Sequence, residues 1–256
     1  MRYYLKLLLI SLITPPLGLL VLLLAPADPK GKLAYAIGRL WTWAILKVGG
    51  IRLRVHGLNR LDSSRQYIFI ANHQSNLDIP VLIQGLRKFQ LRWIAKKQLA
   101  YVPFFGWALW ASRHILVDRS DRAGAMAGLK KAKERIAGGI SVVIFPEGTR
   151  SADGQLLPFK RGGFLLAVQA KTPIVPITIN GSSAILPRGD WRLRAGEVEV
   201  IVSEPIYLEQ QHAKDVNILV SQVRAIIESN SRSRARPTSE NSDRAQALAA
   251  QVLGVR

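Results

Sequence analysis

The fold is decided by the stretch YIFIANHQSNLDIP (residues 67–80), where an apolar run passes directly into a polar turn. Residues 67–71 have the length and composition of a β-strand that is covered on both faces of a sheet. Pro80 suits the first turn of a helix, where a missing N–H costs no intrahelical hydrogen bond. The stretch therefore predicts a central strand, then a turn that carries His73 and Asp78, then a helix over residues 79–86.

Strand-like and helical patterns alternate through the rest of the body of the chain. A second continuous apolar run lies at 141–145, whereas EVEVIV (197–202) alternates and suits an antiparallel or edge strand. Other strand-like runs lie at 51–55, 114–117 and 173–179, and helical patterns lie at 121–138, 161–171 and 214–228. This order predicts an α/β fold with a mixed β-sheet flanked by helices. We expect a body at 49–228, a helical segment at 1–48 before it and a disordered tail at 229–256 after it.

The N-terminal segment has the composition of a membrane anchor. Residues 7–24 carry no charge and reach the length of a minimal membrane-spanning helix. The Pro15–Pro16 pair disfavours a straight helix, so a bent or re-entrant anchor competes with a spanning one. A second apolar segment at 33–48 carries Trp41 and Trp43, which favour the headgroup level of a bilayer. We expect a helical hairpin attached to the membrane; a helix pair buried against the body is the alternative. The proline in the small-residue sequence after the first segment disfavours a cleaved signal peptide.

The charge balance is strongly basic. The 256 residues include 36 Lys and Arg against 17 Asp and Glu, a formal net charge of +19, which favours anionic partners. Residues 85–135 alone hold twelve basic and three acidic side chains. The charge and the anchor together favour a surface that faces anionic lipid. The sequence does not show aromatic residues interleaved with basic ones, as a stacking platform for nucleic acid would require. With no Cys and four His, we expect no metal.

His73 and Asp78 allow two interpretations. A histidine whose Nδ1–H is held by a carboxylate can use Nε2 as a base toward a substrate hydroxyl. Alternatively, Asp78 caps the following helix, or Ser75 and Asp78 form a capping box, and His73 is a polar loop residue. The spacing alone leaves both interpretations open.

A second polar motif, FPEGTRS (145–151), follows the apolar run at 141–145. One interpretation is a tight turn at Gly148. The other is a binding loop, in which Glu147 accepts a hydroxyl and Arg150 holds a phosphate. The sequence KRGG (160–163) then opens a helix whose backbone amides favour an anion.

Two more motifs complete the set. HILVDR (114–119) ends in Arg119, which is either a second phosphate ligand or the partner of a neighbouring aspartate. IVPI (174–177) contains no reactive group, so its composition predicts a core strand.

Taken in order, these motifs resemble those of the glycerolipid acyltransferase family, specifically the bacterial 1-acyl-sn-glycerol-3-phosphate acyltransferases. The His-x4-Asp motif of that family reads here as His73 to Asp78. Its three later motifs read as ILVDR (115–119), FPEGTR (145–150) and IVPI (174–177). The resemblance spans roughly residues 51–205.

The resemblance implies transfer of a fatty acyl group from acyl-CoA or acyl carrier protein to the 2-hydroxyl of lysophosphatidic acid, giving phosphatidic acid without a cofactor. It implies His73 as general base, oriented by Asp78, in a catalytic domain at 49–228 on the cytoplasmic face of the cell membrane. The substrate-binding residues that it implies are Glu147, Gly148, Thr149, Arg150, Arg119 and Lys96. The alternatives are a family member with another lysolipid acceptor, or a non-enzymatic basic protein that binds membranes or nucleic acid.

Overall fold

A computed structural model of the chain describes residues 2–118 and 122–231. The expected phosphate ligand Arg119 lies outside the described residues. So does the part of the expected tail from residue 232 onward.

The described residues form a seven-stranded mixed sheet, which confirms the predicted fold class. Five strands are mutually parallel in the spatial order β6-β2-β5-β3-β4, and β7 runs antiparallel to β6, with β1 parallel to β7 at the edge. The strands are β1 (Ile51–His56), β2 (Ile68–Ala71), β3 (Leu91–Lys96), β4 (Ile115–Val117), β5 (Ser141–Ile144), β6 (Ile174–Asn180) and β7 (Gly196–Val202).

The burial of the strands follows the sequence pattern. Every residue of β2, β5 and β6 is buried, as their continuous apolar runs predict, and the alternating β7 is antiparallel. The strand β3 was not predicted, because Arg92 and Lys96 interrupt its apolar pattern. Arg92 is nevertheless completely buried.

Helices cover both faces of the sheet. They are α1 (Arg2–Leu24), α2 (Lys32–Gly49), α3 (Asp78–Gly85), α4 (Phe105–Ala111), α5 (Arg122–Ala137), α6 (Gly162–Ala170), α7 (Ser182–Ile185), α8 (Gln210–Lys214) and α9 (Val216–Asn230). Because neighbouring strand residues point to opposite faces, Phe69 of β2 packs with α2 and α3, whereas Ile68 packs with α5, α6 and α9. The helix α4 was not predicted. The helix predicted at 214–228 is α9, which begins two residues later because the Asp215 side chain caps it by accepting the N–H of Asn217.

The two N-terminal apolar segments form a helical pair, and they differ in burial. The α1 helix continues through Pro15 and Pro16, so the prolines do not end it. Within the described residues, the segment Tyr3–Ala27 is the one helix long and apolar enough to cross a membrane. Only 11% of its 18-residue apolar stretch is buried. The α2 helix instead places Tyr35 and Leu46 in the main core. The alternative of a buried pair therefore fits one face of α2 and does not fit α1.

The turn between α1 and α2 is fastened to the sheet by a buried arginine. The Arg92 guanidinium donates to the carbonyl oxygens of Gly31 at 3.0 Å and Lys30 at 3.3 Å, and it lies 4.9 Å from the centre of the Tyr35 ring. Burial lowers the pKa of Arg92 to about 10. On the other side of the turn, the Asp28 carboxylate accepts the N–H groups of Lys32 and Ala34. These contacts fix the helical pair relative to β3.

We expect Arg92→Met to lower the free energy of unfolding by about 2–4 kcal/mol, because it removes the charge-assisted hydrogen bonds of a buried guanidinium to the carbonyl oxygens of Leu91, Lys30 and Gly31. The matched control is Arg54→Met, which removes an exposed arginine that pairs with Glu197 and should cost less than about 1 kcal/mol. Urea unfolding in detergent, followed by tryptophan fluorescence, measures both. Equal losses in the two variants would contradict the fastening role of Arg92.

Candidate active site

The sequence motifs converge at one edge of the sheet. The turn with His73 follows β2, the loop with Glu147 follows β5, and Lys96 ends β3. Because β2, β5 and β3 are neighbouring parallel strands, their carboxyl ends lie side by side. This is the edge at which open α/β sheets bind ligands.

The centre of the site is a histidine–aspartate pair. The Nδ1 atom of His73 lies 2.8 Å from Oδ2 of Asp78, whose side chain is completely buried. The same oxygen accepts the backbone N–H groups of Gln74 at 2.8 Å and Ser75 at 2.9 Å. Three donors therefore converge on one carboxylate oxygen. The other oxygen, Oδ1, is buried and has no hydrogen-bond partner among the described residues.

This geometry determines the tautomer of the histidine. An ionised carboxylate only accepts hydrogen bonds, so the Nδ1 atom of His73 carries the proton that points to Asp78. The Nε2 atom is then left with its lone pair, as a base requires. Of the two interpretations of the spacing, this geometry favours orientation of the imidazole, because no side-chain hydrogen bond caps α3 and the Asp78 carboxylate accepts the Ser75 N–H while it holds the ring.

The backbone of His73 is held on both sides. Its N–H donates to Oε1 of Glu147 at 2.8 Å, and its carbonyl oxygen accepts the N–H of Ser151 at 2.9 Å. The preceding residue, Asn72, is completely buried and pairs both its amide atoms with the backbone N–H and carbonyl of Ile179 in β6. Hydrogen bonds thus tie the turn after β2 to the loop after β5 on one side and to β6 on the other.

Glu147 faces the protein interior. It is 3% exposed, and its second oxygen, Oε2, accepts the N–H of Leu157 at 3.0 Å. Burial raises the pKa of Glu147, although the hydrogen bonds from Leu157 and His73 oppose the shift. Since each of its oxygens accepts a backbone N–H, this geometry favours positioning of His73 over the substrate contact that the resemblance implied.

An aromatic ring restrains the imidazole from a third direction. The Phe145 ring is stacked on that of His73, with centroids 3.9 Å apart and planes inclined by 12°. The hydrogen bond to Asp78 fixes one edge of the imidazole, and the stack restricts rotation about that bond. Phe145 belongs to the FPEGTR motif, which therefore contributes to the site through its ring as well as through its polar side chains.

A cavity of about 340 Å³ opens beside His73 and extends under the N-terminal helices. Its apolar wall comes from α1, α2 and α4. Residues of this wall are Leu17, Val21, Ile37, Trp41, Phe105 and Leu109. The end at His73 is polar and is lined by Lys96, Gly148, Thr149 and Arg150. The structure thus brings four of the expected binding residues to one cavity with the histidine, whereas Asp78 and Glu147 lie behind it.

The deeper part of the cavity includes a second histidine, His114, whose Nδ1 atom accepts the backbone N–H of Trp93 at 3.1 Å. Burial and the nearby Arg92 charge lower the pKa of His114 to about 3. This imidazole is therefore neutral and structural. Across residues 2–118 and 122–231, no group of three or more His, Asp or Glu side chains is placed to hold a metal ion.

Comparison with known proteins identifies the family. The family profile described as "Acyltransferase" matches residues 52–180, which is half of the chain and includes all four motifs. The chain belongs to the acyltransferase family. The resemblance drawn from the motifs is thereby confirmed.

Relatives in the acyltransferase family carry a consistent name. The chloroplastic 1-acyl-sn-glycerol-3-phosphate acyltransferase BAT2 of Brassica napus is 36% identical over 180 residues, covering 70% of this chain and 52% of that protein. The 1-acyl-sn-glycerol-3-phosphate acyltransferase alpha of Homo sapiens is 35% identical over 187 residues, covering 73% of this chain and 66% of that protein. The chain thus spans about half to two thirds of the length of these relatives.

A solved structure shares the fold. The crystal structure of the 1-acyl-sn-glycerophosphate (LPA) acyltransferase PlsC from Thermotoga maritima matches with a TM-score of 0.61 at 24% sequence identity. The match covers 90% of this chain and 95% of that one.

The environment of Glu147 generates a prediction about pH. An acid whose pKa is higher in the folded than in the unfolded state contributes stability below its unfolded pKa, and this stability is lost as the pH rises. We expect the Tm of the wild-type protein to fall relative to that of Glu147→Gln as the pH rises from about 4 to about 7. Thermal melts of both proteins in detergent across this range measure the difference. Glu134→Gln, at an exposed position of α5, is the control and should track the wild type. A constant gap between wild type and Glu147→Gln would contradict the raised pKa.

Proposed function

We propose that this protein transfers a fatty acyl group from a thioester to the 2-hydroxyl of 1-acyl-sn-glycerol 3-phosphate. The observation that carries the proposal is the position of the His73–Asp78 pair, at the junction between a basic cavity mouth and an apolar cavity. A lysophospholipid with a phosphate at one end and a fatty acyl chain at the other requires this combination. The shared name of the relatives supports the same substrate.

The first step is removal of a proton. The Nε2 atom of His73 takes the proton of the acceptor hydroxyl as its oxygen attacks the thioester carbonyl carbon. Asp78 keeps the imidazole in the tautomer that makes Nε2 basic, and it stabilises the imidazolium that forms. The stacked Phe145 ring and the hydrogen bonds of Glu147 and Ser151 to the backbone hold the histidine in place for this transfer.

The second step is collapse of the tetrahedral intermediate. The carbon–sulfur bond breaks, the new ester stays on the glycerol oxygen, and the thiolate leaves. The imidazolium of His73 returns its proton to the sulfur, which restores the starting state of the enzyme. The nucleophile is the substrate's own alcohol, so the reaction needs no covalent intermediate on the protein and no cofactor.

The charged end of the acceptor binds at the cavity mouth. Arg150 and Lys96 line the cavity together with His73, and they supply the positive charge for a phosphate. Gly148 has a φ of +73°, and a side chain there would approach the Lys160 ammonium to 3.0 Å. A glycine at this position lets the loop turn close to that lysine. Arg119 is assigned to the phosphate as well, on the family motif alone.

The helical pair places the site at its substrate. The exposed leucines of α1 suit insertion into the bilayer in which a lysophospholipid resides, and the basic surface suits an anionic leaflet. We assign the body of the protein to the cytoplasmic side, where acyl-CoA and acyl carrier protein are found. Both donors are acidic, so the positive charge of the protein suits either of them.

We expect His73→Ala to lower the transfer rate by about three orders of magnitude or more, and Asp78→Asn by about two, with little change in KM. The assay follows a labelled acyl group from palmitoyl-CoA or palmitoyl carrier protein to lysophosphatidic acid. His56→Ala is the matched control, because His56 lies on the edge strand β1 and pairs with Glu199 away from the cavity.

The acceptor panel of the same assay separates the alternatives. Product from a neutral or other lysolipid instead of lysophosphatidic acid would change the acceptor and keep the chemistry. A folded His73→Ala protein with full activity would refute the mechanism. Salt-sensitive binding of oligonucleotides without acyl transfer would favour a non-enzymatic basic protein.

The cavity generates a second prediction, about acyl-chain length. Gly38 of α2 lines the cavity, and a Cβ atom there would meet no atom within 4 Å. Gly38→Leu therefore fills the cavity without a backbone clash, and it should shift preference from palmitoyl toward shorter acyl donors by about tenfold in relative kcat/KM. Gly138→Leu, outside the cavity, is the control and should leave the preference unchanged. An unchanged preference in Gly38→Leu would show that the acyl chain binds elsewhere.

A further inference from the structure

Residues 97–111 present an unusual surface that the proposed reaction does not require. This aromatic segment comprises the 3-10 helix Lys97–Tyr101, a short loop and α4. Five of its exposed side chains are large and apolar, namely Leu99, Tyr101, Val102, Trp107 and Trp110. Tyr101 is 75% exposed and Trp110 is 54% exposed. Trp107 and Trp110 are three residues apart on a helix, so they lie on one face.

The aromatic segment is packed directly against α1. A Cβ atom at Gly18 of α1 would lie 2.8 Å from Cβ of Phe104, so the missing side chain allows this close approach. Phe104 itself has a φ of +60°, a strained conformation for a residue other than glycine. On α2, the Trp41 ring lies 6.1 Å from that of Phe105. The exposed apolar side chains of the segment thus continue the exposed apolar surface of the helical pair.

The composition of the aromatic segment matches an interfacial position. Tryptophan and tyrosine concentrate at the headgroup level of bilayers, because their rings are apolar and their N–H or O–H groups are polar. Lys97 begins the segment, and Lys96 and Arg113 border it on either side; each of these basic side chains attracts anionic lipid. The Arg113 guanidinium lies 5.2 Å from the centre of the Trp110 ring, so charge and aromatic surface share one patch.

We propose that the aromatic segment is a third membrane-contacting element, which inserts its exposed aromatic side chains into the headgroup region of an anionic bilayer. It rests on the proposed membrane contact of α1 and extends that contact across the cavity. Leu99, Phe104 and Phe105 of the segment also line the cavity. One wall of the cavity is therefore seated in the lipid surface, which brings the opening to the depth of a lysophospholipid headgroup.

The test uses site-specific fluorescence on the full chain. The protein contains no cysteine, so single cysteines can be introduced and labelled with an environment-sensitive fluorophore. Val102→Cys reports on the aromatic segment, and Ile218→Cys on α9 is the matched control, because both positions are 43% exposed. Leu12→Cys, 62% exposed on α1, is the positive control for membrane contact. The vesicles contain phosphatidylethanolamine and phosphatidylglycerol, with and without a lipid that carries a nitroxide near the top of its acyl chain.

The proposal predicts that vesicles shift the Val102→Cys emission to shorter wavelength and that nitroxide lipid quenches it about twofold or more, with no effect at Ile218→Cys. Adding Trp107→Ser and Trp110→Ser to the Val102→Cys protein should remove most of this quenching. If nitroxide lipid quenches the label at Leu12→Cys while Val102→Cys behaves like Ile218→Cys, the proposal is wrong. An emission shift at Val102→Cys that is insensitive to nitroxide lipid would also overturn it and indicate a protein partner.

These measurements need neither acyl donor nor acceptor, so their result is independent of the proposed reaction. A second measurement links the two. Trp107 and Trp110 do not line the cavity. The double serine variant should therefore keep its rate on substrate in detergent micelles and lose about fivefold on the same substrate in vesicles, because only the vesicle reaction needs surface binding. Equal rates on vesicles would overturn the proposal.

Discussion

The geometry of the site depends on the two hydrogen bonds that hold the backbone of His73. Its N–H donates to Glu147 and its carbonyl accepts from Ser151, and both partners lie in the loop after β5. The loop after β2 and the loop after β5 are thus one hydrogen-bonded unit, although the two motifs are more than seventy residues apart. On this rigid base the imidazole needs only two further restraints, the Asp78 carboxylate at its edge and the Phe145 ring on its face. The buried strands on either side supply the stiffness.

Much of this arrangement was legible in the sequence, for identifiable reasons. The continuous apolar runs of β2 and β5 predicted central strands, and because these strands are parallel neighbours the two motifs that follow them meet at one edge of the sheet. The alternating pattern of residues 197–202 suited an antiparallel or edge strand. The strand β7 is antiparallel to β6, which confirms the predicted mixed sheet. The choice between capping and orientation for Asp78 could not be made from spacing, because the spacing places the carboxylate within reach of both the Ser75 N–H and the imidazole ring.

Other features could not be predicted from the sequence, for physical reasons. Arg92 in β3 is a charged residue at a fully buried position, and one of its terminal nitrogens donates to carbonyl groups some sixty positions away, which no local pattern reports. The cavity wall consists of ordinary apolar residues whose sequence does not distinguish a lining side chain from a core one. Glu147 could be predicted as a functional residue. Its orientation toward the backbone could not, because it depends on the loop that brings Leu157 to its second oxygen.

The cavity walls come from both the helical pair and the body of the protein, which constrains how the chain can evolve or be engineered. About a third of the residues that line the cavity beside His73 belong to α1 and α2, among them Leu17, Gly18, Ile37 and Gly38, and the rest belong to the body of the protein. The helical pair therefore forms part of the cavity in addition to its proposed role as a membrane anchor. A chimera in which another hydrophobic segment replaces the helical pair would also lose part of the cavity wall. Shortening the apolar stretch of α1 would then change which substrates the protein accepts. Selection on where the protein resides and selection on what it binds act on the same residues.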